Sequence, residues 1–257
     1  MGWLDKLFPT MEAPIAEARV LEVPSGRNIR ELGGYETPDG PVRYHRFLRS
    51  GSTQYLNHRD IERLRNYGVT HVLDLRGALE SPQSTCCFAR QRAVTWVNVE
   101  LYDCDISDPR LTQAARTDDW LVDSYLSMLA NHAAVRAIIE FCASAPRTAC
   151  LLFHCAAGMD RTGMTAMLLL GLVGVSRDDI IRDYGYSFGT VDEVDHAVET
   201  GECVVQTPWM NLTERLDAIA AVYDTLINAY GDVRAYLLDC GVGQDVLEKL
   251  RARLLEQ

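Results

Sequence analysis

The sequence predicts an α/β fold, with a mostly parallel central sheet covered by helices on both faces. Three observations lead there. Short apolar runs alternate with segments of helical periodicity along most of the chain. The run ACLLFH, Ala149 to His154, is apolar nearly throughout, as a strand buried on both faces must be. The helical segment beginning near Arg161 is apolar on nearly every side, which places it in the core.

The elements follow in order. The first twenty residues read as a loosely held arm ahead of a single domain over residues 21–257. They lack the basic-then-apolar pattern of a standard signal peptide, and Lys6 stands where a myristoylation motif wants Ser or Thr. Asn57 caps a helix that carries Asp60 at its positive end and stops at Gly68. Val69 to Arg76 (VTHVLDLR) is a strand, and Ala93 to Leu101 is a second. Val135, Ile138, Ile139 and Cys142 share one face of a helix over Ala133 to Ala143, which Pro146 ends. Ser176 with Asp179 resembles a capping box. Ile180 to Pro208 is acidic and holds three glycines, and its composition fits a flap or a plain surface loop equally. Asn211 with Glu214 opens a long helix, and shorter ones follow Gly231 and Gly241.

Composition narrows the function classes. The chain has 257 residues, 47% of them hydrophobic, enough for a sizeable core. Lys and Arg number 25 against 36 Asp and Glu, a net charge of −11. That excludes nucleic-acid binding through a generic basic face, and it disfavours anionic membranes. The longest apolar run, Met164 to Val175, falls short of the ~20 residues a membrane span needs. Eight cysteines are too few for a disulfide scaffold, and no paired CxxC sets suggest structural zinc. Reduced thiols in a cytoplasm are the expectation.

The chemistry concentrates in LLFHCAAGMDRTG, Leu151 to Gly163. In parallel sheets, ligands bind at the carboxyl ends of strands. Cys155 stands at such an end, just before a helix whose N-terminus is positive. Ala156, Ala157 and Gly158 let the backbone curl around an anion, and Met159 and Asp160 complete the loop. Arg161 offers a planar fork that matches two phosphate oxygens. The same positive field stabilises a thiolate. A buried cysteine alone is more often a small hydrophobe. Here a strand, a glycine loop, Arg-Thr-Gly and a buried helix surround it, and the joint pattern points to phosphoryl transfer to sulfur. Thr162 either bonds the thiolate or caps the helix. His154 reads as a satisfied core histidine that orients the loop. The other seven cysteines read as structural, with no site at Cys86 and Cys87. Asp74 and Arg76 end a strand on the same rim. There Arg76 contacts substrate, holds the loop through a carboxylate, or forms an ordinary surface ion pair.

HCAAGMDRTG resembles the phosphate-binding loop of cysteine-dependent phosphatases, and its CxxGxDRTG form is similar to the bacterial tyrosine-phosphatase family. SGRNIRELGGYETPDG, RFLRSGSTQYL, GVTHVLDLR and GDVRAYLLDCGVGQDVLEKLRARLL resemble further blocks of that family, so the likeness spans about residues 20–257. It implies a protein-tyrosine phosphatase acting on phosphotyrosyl protein through a phosphocysteine, without cofactor or metal. Cys155 would be the nucleophile, Arg161 the phosphate ligand, and Asp160 the general acid and base. Asp103, Asp105 and Asp108, in the YDCDISD stretch after the second strand, are rivals for the acid. Met159 stands where many relatives carry Lys, which weighs against phosphoinositides. Asn28, Arg30 and Arg49 fall in family-like blocks and would build the pocket wall. Phosphoinositide or dual-specificity activity is the first alternative. The second is a silent phosphate-binding module or a thiol redox protein, with Cys150 or another thiol trapping an oxidised Cys155.

Overall fold

The computed structural model describes residues 19, 21–78, 80, 86–101, 108, 110–111, 119–201, 206–207 and 210–256. Its central sheet has five strands: β1 (Arg30–Glu31), β2 (Phe47–Ser50), β3 (Val69–Asp74), β4 (Thr95–Asn98) and β5 (Cys150–His154). They lie in the order β1-β2-β5-β3-β4. β2, β5, β3 and β4 run parallel, and β1 joins β2 antiparallel at one edge. The predicted α/β architecture is therefore the one observed, with a mixed, mostly parallel sheet.

β5 lies in the middle, and all five of its residues are buried. Side chains alternate across a strand. Leu151 and Phe153 accordingly enter the larger of two cores, while Cys150 and Leu152 enter the smaller. This two-sided burial is why ACLLFH is apolar without alternation.

The helices are α1 (His58–Tyr67), α2 (Trp120–Ala130), α3 (His132–Ser144), α4 (Asp160–Leu172), α5 (Arg177–Gly185), α6 (Val191–Thr200), α7 (Leu212–Tyr230), α8 (Val233–Asp239) and α9 (Gln244–Leu255). α1 packs on the smaller core through Leu64, whereas α2 to α9 pack on the larger. The predicted caps form. Asn57 Oδ1 accepts from the Asp60 amide at 3.0 Å, Gly68 adopts φ 111°, and Ser176 Oγ accepts from the Asp179 amide at 3.1 Å.

α4 is buried over nearly its whole length, as its apolar sequence requires. Gly163 has a packing role there, since a Cβ would stand 2.7 Å from the Tyr184 ring of α5. α2 and α6 were not read from the sequence. Ile180 to Gly201, where composition allowed a flap or a loop, is largely helix, with Thr190 and Glu193 forming a reciprocal capping box on α6. A short pair, β6 (Gln206–Thr207) and β7 (Met210–Asn211), precedes α7. No helix among the described residues is long and apolar enough to cross a membrane.

Candidate active site

The strand register brings the site together. Ser50 of β2 and Asp74 of β3 both pair with His154, so three loops leave the sheet side by side at its carboxyl end. The central loop, Cys155 to Met159, leads directly into α4.

Its shape follows from where its carbonyls bond. The Ala156 carbonyl accepts from the Ser52 amide at 2.9 Å. The Gly158 carbonyl accepts from Asn28 Nδ2 and from Arg49 Nη2, each at 2.9 Å. In a trans peptide the next N–H points the opposite way, and no cis bond occurs here. The amides of Ala157 and Met159 therefore turn to the concave side, where the Gly158 amide meets the Cys155 sulfur at 3.3 Å. The result is an anion-binding nest opening on the thiol.

Gly158 has φ 77°, and a Cβ on it would stand 2.5 Å from the Gly51 nitrogen and 2.6 Å from Ser50 backbone atoms. Left-handed backbone in a non-glycine residue costs on the order of 1–3 kcal/mol before any clash. Gly158→Ala is accordingly expected to lower both Tm and turnover. Normal values of both would show that the loop relaxes around a side chain.

Asn28, Arg30 and Arg49 support the loop from behind. Asn28, itself at φ 53°, also accepts from Arg30 Nη1. Arg30 and Arg49 share the buried carboxylate of Asp183 on α5. Removing one partner of such a buried pair costs about 3–5 kcal/mol, because a charge is left uncompensated. These arginines anchor the wall, and Asp183 is the member that sequence reasoning missed.

His154 is wholly buried. Nδ1 lies 3.2 Å from the Cys155 carbonyl oxygen and 3.8 Å from Asp74 Oδ1. A ring nitrogen between two acceptors is the one that carries the proton. Burial holds the imidazole pKa below its ordinary value, so the ring is neutral. His154 thus lies buried behind the loop, with Nδ1 held between the Cys155 carbonyl and Asp74. Asp74 takes Arg76 bidentately, at 2.9 Å to Nε and 2.7 Å to Nη2, and Arg76 Nη1 donates to Ser52 Oγ at 3.2 Å. Arg76 is 1% exposed. Arg76 thus lies buried between Asp74 and Ser52, whose amide bonds the Ala156 carbonyl of the loop. Thr162 forms neither predicted bond. Its hydroxyl is buried with no hydrogen-bond partner among the described residues, and the α4 N-cap is Met159, without a side-chain cap.

Arg161 meets a carboxylate absent from the sequence reading. Nη1 and Nη2 both donate to Glu80, the second at 3.0 Å. The guanidinium pKa lies above its ordinary value. Burial opposes this, but the Glu80 bond and the nearby Cys155 outweigh it. Hydrogen bonds from Arg161 are the first cause holding Glu80 below the usual glutamate range. Glu80 is therefore an anion facing the arginine that a phosphate dianion would need. Half-exposed ion pairs are worth about 0.2–1 kcal/mol. Glu80→Gln is expected to lower KM for an aryl phosphate about two- to fivefold at unchanged kcat. A lower kcat with unchanged KM would make Glu80 a positioning group for Arg161.

Asp160, the first residue of α4, is clamped at one oxygen. Oδ1 accepts from the Tyr125 hydroxyl and from Arg215 Nη1 at 2.9 Å. Tyr125 also bonds the Tyr184 hydroxyl, and Arg215 stacks over Phe188. Oδ2 has no hydrogen bond among the described residues. No spacing rule links positions 125, 160 and 215, so sequence reasoning could not find this clamp. Asp108 lies elsewhere, bonded to Tyr230, to His132 Nε2 at 3.1 Å and to the Arg110 amide at 2.9 Å. Asp103 and Asp105 fall outside the described residues. Cys150 cannot trap Cys155, since it sits at the other end of β5. Five residues of strand span about 16 Å, far beyond the ~7 Å Cα limit of a disulfide.

Comparisons with known proteins give the family. The tyrosine phosphatase family matches residues 21–256. The triple specificity protein phosphatase PtpB of Mycobacterium tuberculosis is 26% identical over 92% of this chain and 99% of its own length. A tyrosine-protein phosphatase of Nostoc commune is 28% identical over 81% of this chain and 74% of its own. A Cupriavidus necator protein, provisionally named a tyrosine-protein phosphatase, is 34% identical over 61% of this chain, a match that spans 59% of that relative. The chain belongs to the tyrosine phosphatase family and is a phosphatase by that membership.

Proposed function

We propose that the chain hydrolyses phosphotyrosyl protein by way of a phosphocysteine at Cys155. The observation that carries this reading is the nest of loop amides around the Cys155 sulfur, with Arg161 at the head of α4. The thiolate attacks phosphorus, and the tyrosyl oxygen leaves with a proton from Asp160. Asp160 then takes a proton from water, which displaces sulfur and releases inorganic phosphate. Arg161 and the amides of Ala157, Gly158 and Met159 stabilise the equatorial oxygens throughout. The clamp on Oδ1 leaves Oδ2 as the oxygen that carries the proton. Tyr125 and Arg215 thus orient Asp160, and Asp183, Asn28, Arg30 and Arg49 keep the loop in its bonded shape. Substrates are phosphorylated molecules, and the fold is a single phosphatase domain over residues 21–257.

Broader specificity is the second reading, supported by the name of the M. tuberculosis relative. Against phosphoinositides stands Met159, where a lysine would add charge for a polyanionic headgroup. Steady-state assays on phosphotyrosyl, phosphoseryl and phosphothreonyl peptides and on phosphoinositides separate the two. We expect phosphotyrosyl peptides to have the highest kcat/KM. Met159→Lys should raise the relative rate on multiply phosphorylated lipids, and an unchanged ratio would remove residue 159 from the account.

A further inference from the structure

We infer that Arg27 and Tyr55 form a recognition site at the rim of the catalytic loop, for an acidic residue of the substrate one or two positions from the phosphotyrosine. The site rests on the phosphotyrosyl-protein reading proposed above and adds to it the sequence around the phosphate.

The backbone places the pair at the loop. The Gly51 amide donates to the Arg27 carbonyl at 2.8 Å, and the next amide, that of Ser52, donates to the Ala156 carbonyl at 2.9 Å. A Cβ on Gly51 would stand 3.2 Å from Arg27 Cβ and 3.1 Å from the Ala157 carbonyl oxygen, so the arginine stem and the loop meet at this one glycine. The short turn Thr53–Tyr55 follows directly. There the Arg27 guanidinium carbon lies over the Tyr55 ring, 4.9 Å from its centroid. Within the loop Cys155 is buried, whereas Ala156 and Ala157 are exposed. A protein whose phosphotyrosine enters the nest has to cover that exposed edge, beside which Arg27 and Tyr55 stand.

Both side chains are open to a partner. Tyr55 is 56% exposed, and Arg27 is exposed as well. Among the described residues the guanidinium has no ion pair and no hydrogen bond, only the ring. The carboxylate of this neighbourhood is Asp60, which is buried and taken up by Ser25, Asn57 and Arg63. An aromatic face holds a guanidinium in place without supplying an oxygen to its donors. The planar fork then matches a carboxylate, with less freedom left to lose on binding. The chain's net charge of −11 disfavours acidic substrates at a distance, so a preference for them has to come from a local cation such as this one.

The test compares kcat/KM on phosphotyrosyl peptides that differ only in the residues flanking the phosphotyrosine, made all Glu, all Gln or all Lys. p-Nitrophenyl phosphate, which presents no flank, reports on the nest alone. Wild type should favour the Glu peptide over the Gln peptide by about two- to fivefold through KM, the range of a half-exposed ion pair. Arg27→Met should bring that ratio to about one, Arg27→Lys should keep part of it, and Arg27→Glu should invert it in favour of the Lys peptide. Tyr55→Ala should weaken the preference by releasing the guanidinium. The same charge change at Lys249, exposed on α9, should leave the ratio at its wild-type value. No preference in wild type, a ratio unmoved by Arg27→Glu, or an equal shift from Lys249→Glu overturns the site. A loss in Arg27→Glu that appears on phosphoinositides and not on peptides assigns Arg27 to a lipid headgroup and overturns it too. Should Arg27→Glu also lose turnover of p-nitrophenyl phosphate, Arg27→Met decides. Turnover of p-nitrophenyl phosphate by wild type with none on any phosphotyrosyl peptide would instead overturn the phosphotyrosyl-protein reading itself.

Discussion

Cys155→Ser should abolish turnover and still bind substrate. A serine hydroxyl stays protonated near neutral pH, so the nest would hold a phosphate that nothing attacks. The carbonyl bonds that shape the loop, from Ser52, Asn28 and Arg49, do not involve the sulfur, so the cradle survives the change. Binding of a phosphotyrosyl peptide by calorimetry should stay within about tenfold of the Michaelis constant, a window of 1.4 kcal/mol. Appreciable phosphatase activity in the variant would exclude the covalent route. Arg161→Lys should be severe as well, because an ammonium cannot make the bidentate fork. Losing one preorganised transition-state donor typically costs about 10²–10³-fold in kcat. Near-normal kcat would remove Arg161 from the transition state.

Asp160→Asn should lower kcat on phosphotyrosine by about 10²–10⁴-fold, the usual range for a general acid. The loss should shrink on aryl phosphates whose leaving groups need no proton. The clamp gives the experiment a second arm. Arg215→Met keeps the carboxylate but releases half its grip, so its loss should be smaller, and the pH profile of kcat should shift with it. Asp103→Asn, Asp105→Asn and Asp108→Asn serve as controls. Asp108 is buried among Tyr230, His132 and Arg110, and its carboxyl pKa lies below the ordinary range. Burial pushes it up, but the Tyr230 hydroxyl, the Arg110 amide and the nearby cations outweigh that. A group held ionised in this way suits structure better than proton donation. If one of these three shows the leaving-group-dependent loss and Asp160 does not, the acid lies on the loop after β4.

Some of the molecule was decided locally, and the sequence alone was enough for it. α1 could be read because Asn57, Asp60 and Gly68 act within one helix, through hydrogen bonds a few residues long. β5 and α4 could be read because burial on every side leaves a continuous apolar run. Cys155 and Arg161 could be read together because they lie on one loop and the helix start that follows it, so their spacing is itself the geometry. The rest was decided by contacts between distant residues. α2 and α6 carry ordinary amphipathic sequence that becomes helix once it packs on the larger core. Glu80 reaches Arg161 across 81 positions, Arg215 reaches Asp160 across 55, and Asp183 joins Arg49 across 134. Each of those side chains alone is an unremarkable surface-type charge. Only the sheet register and the packing of α5 on α4 and of α7 on α5 bring them within hydrogen-bond distance.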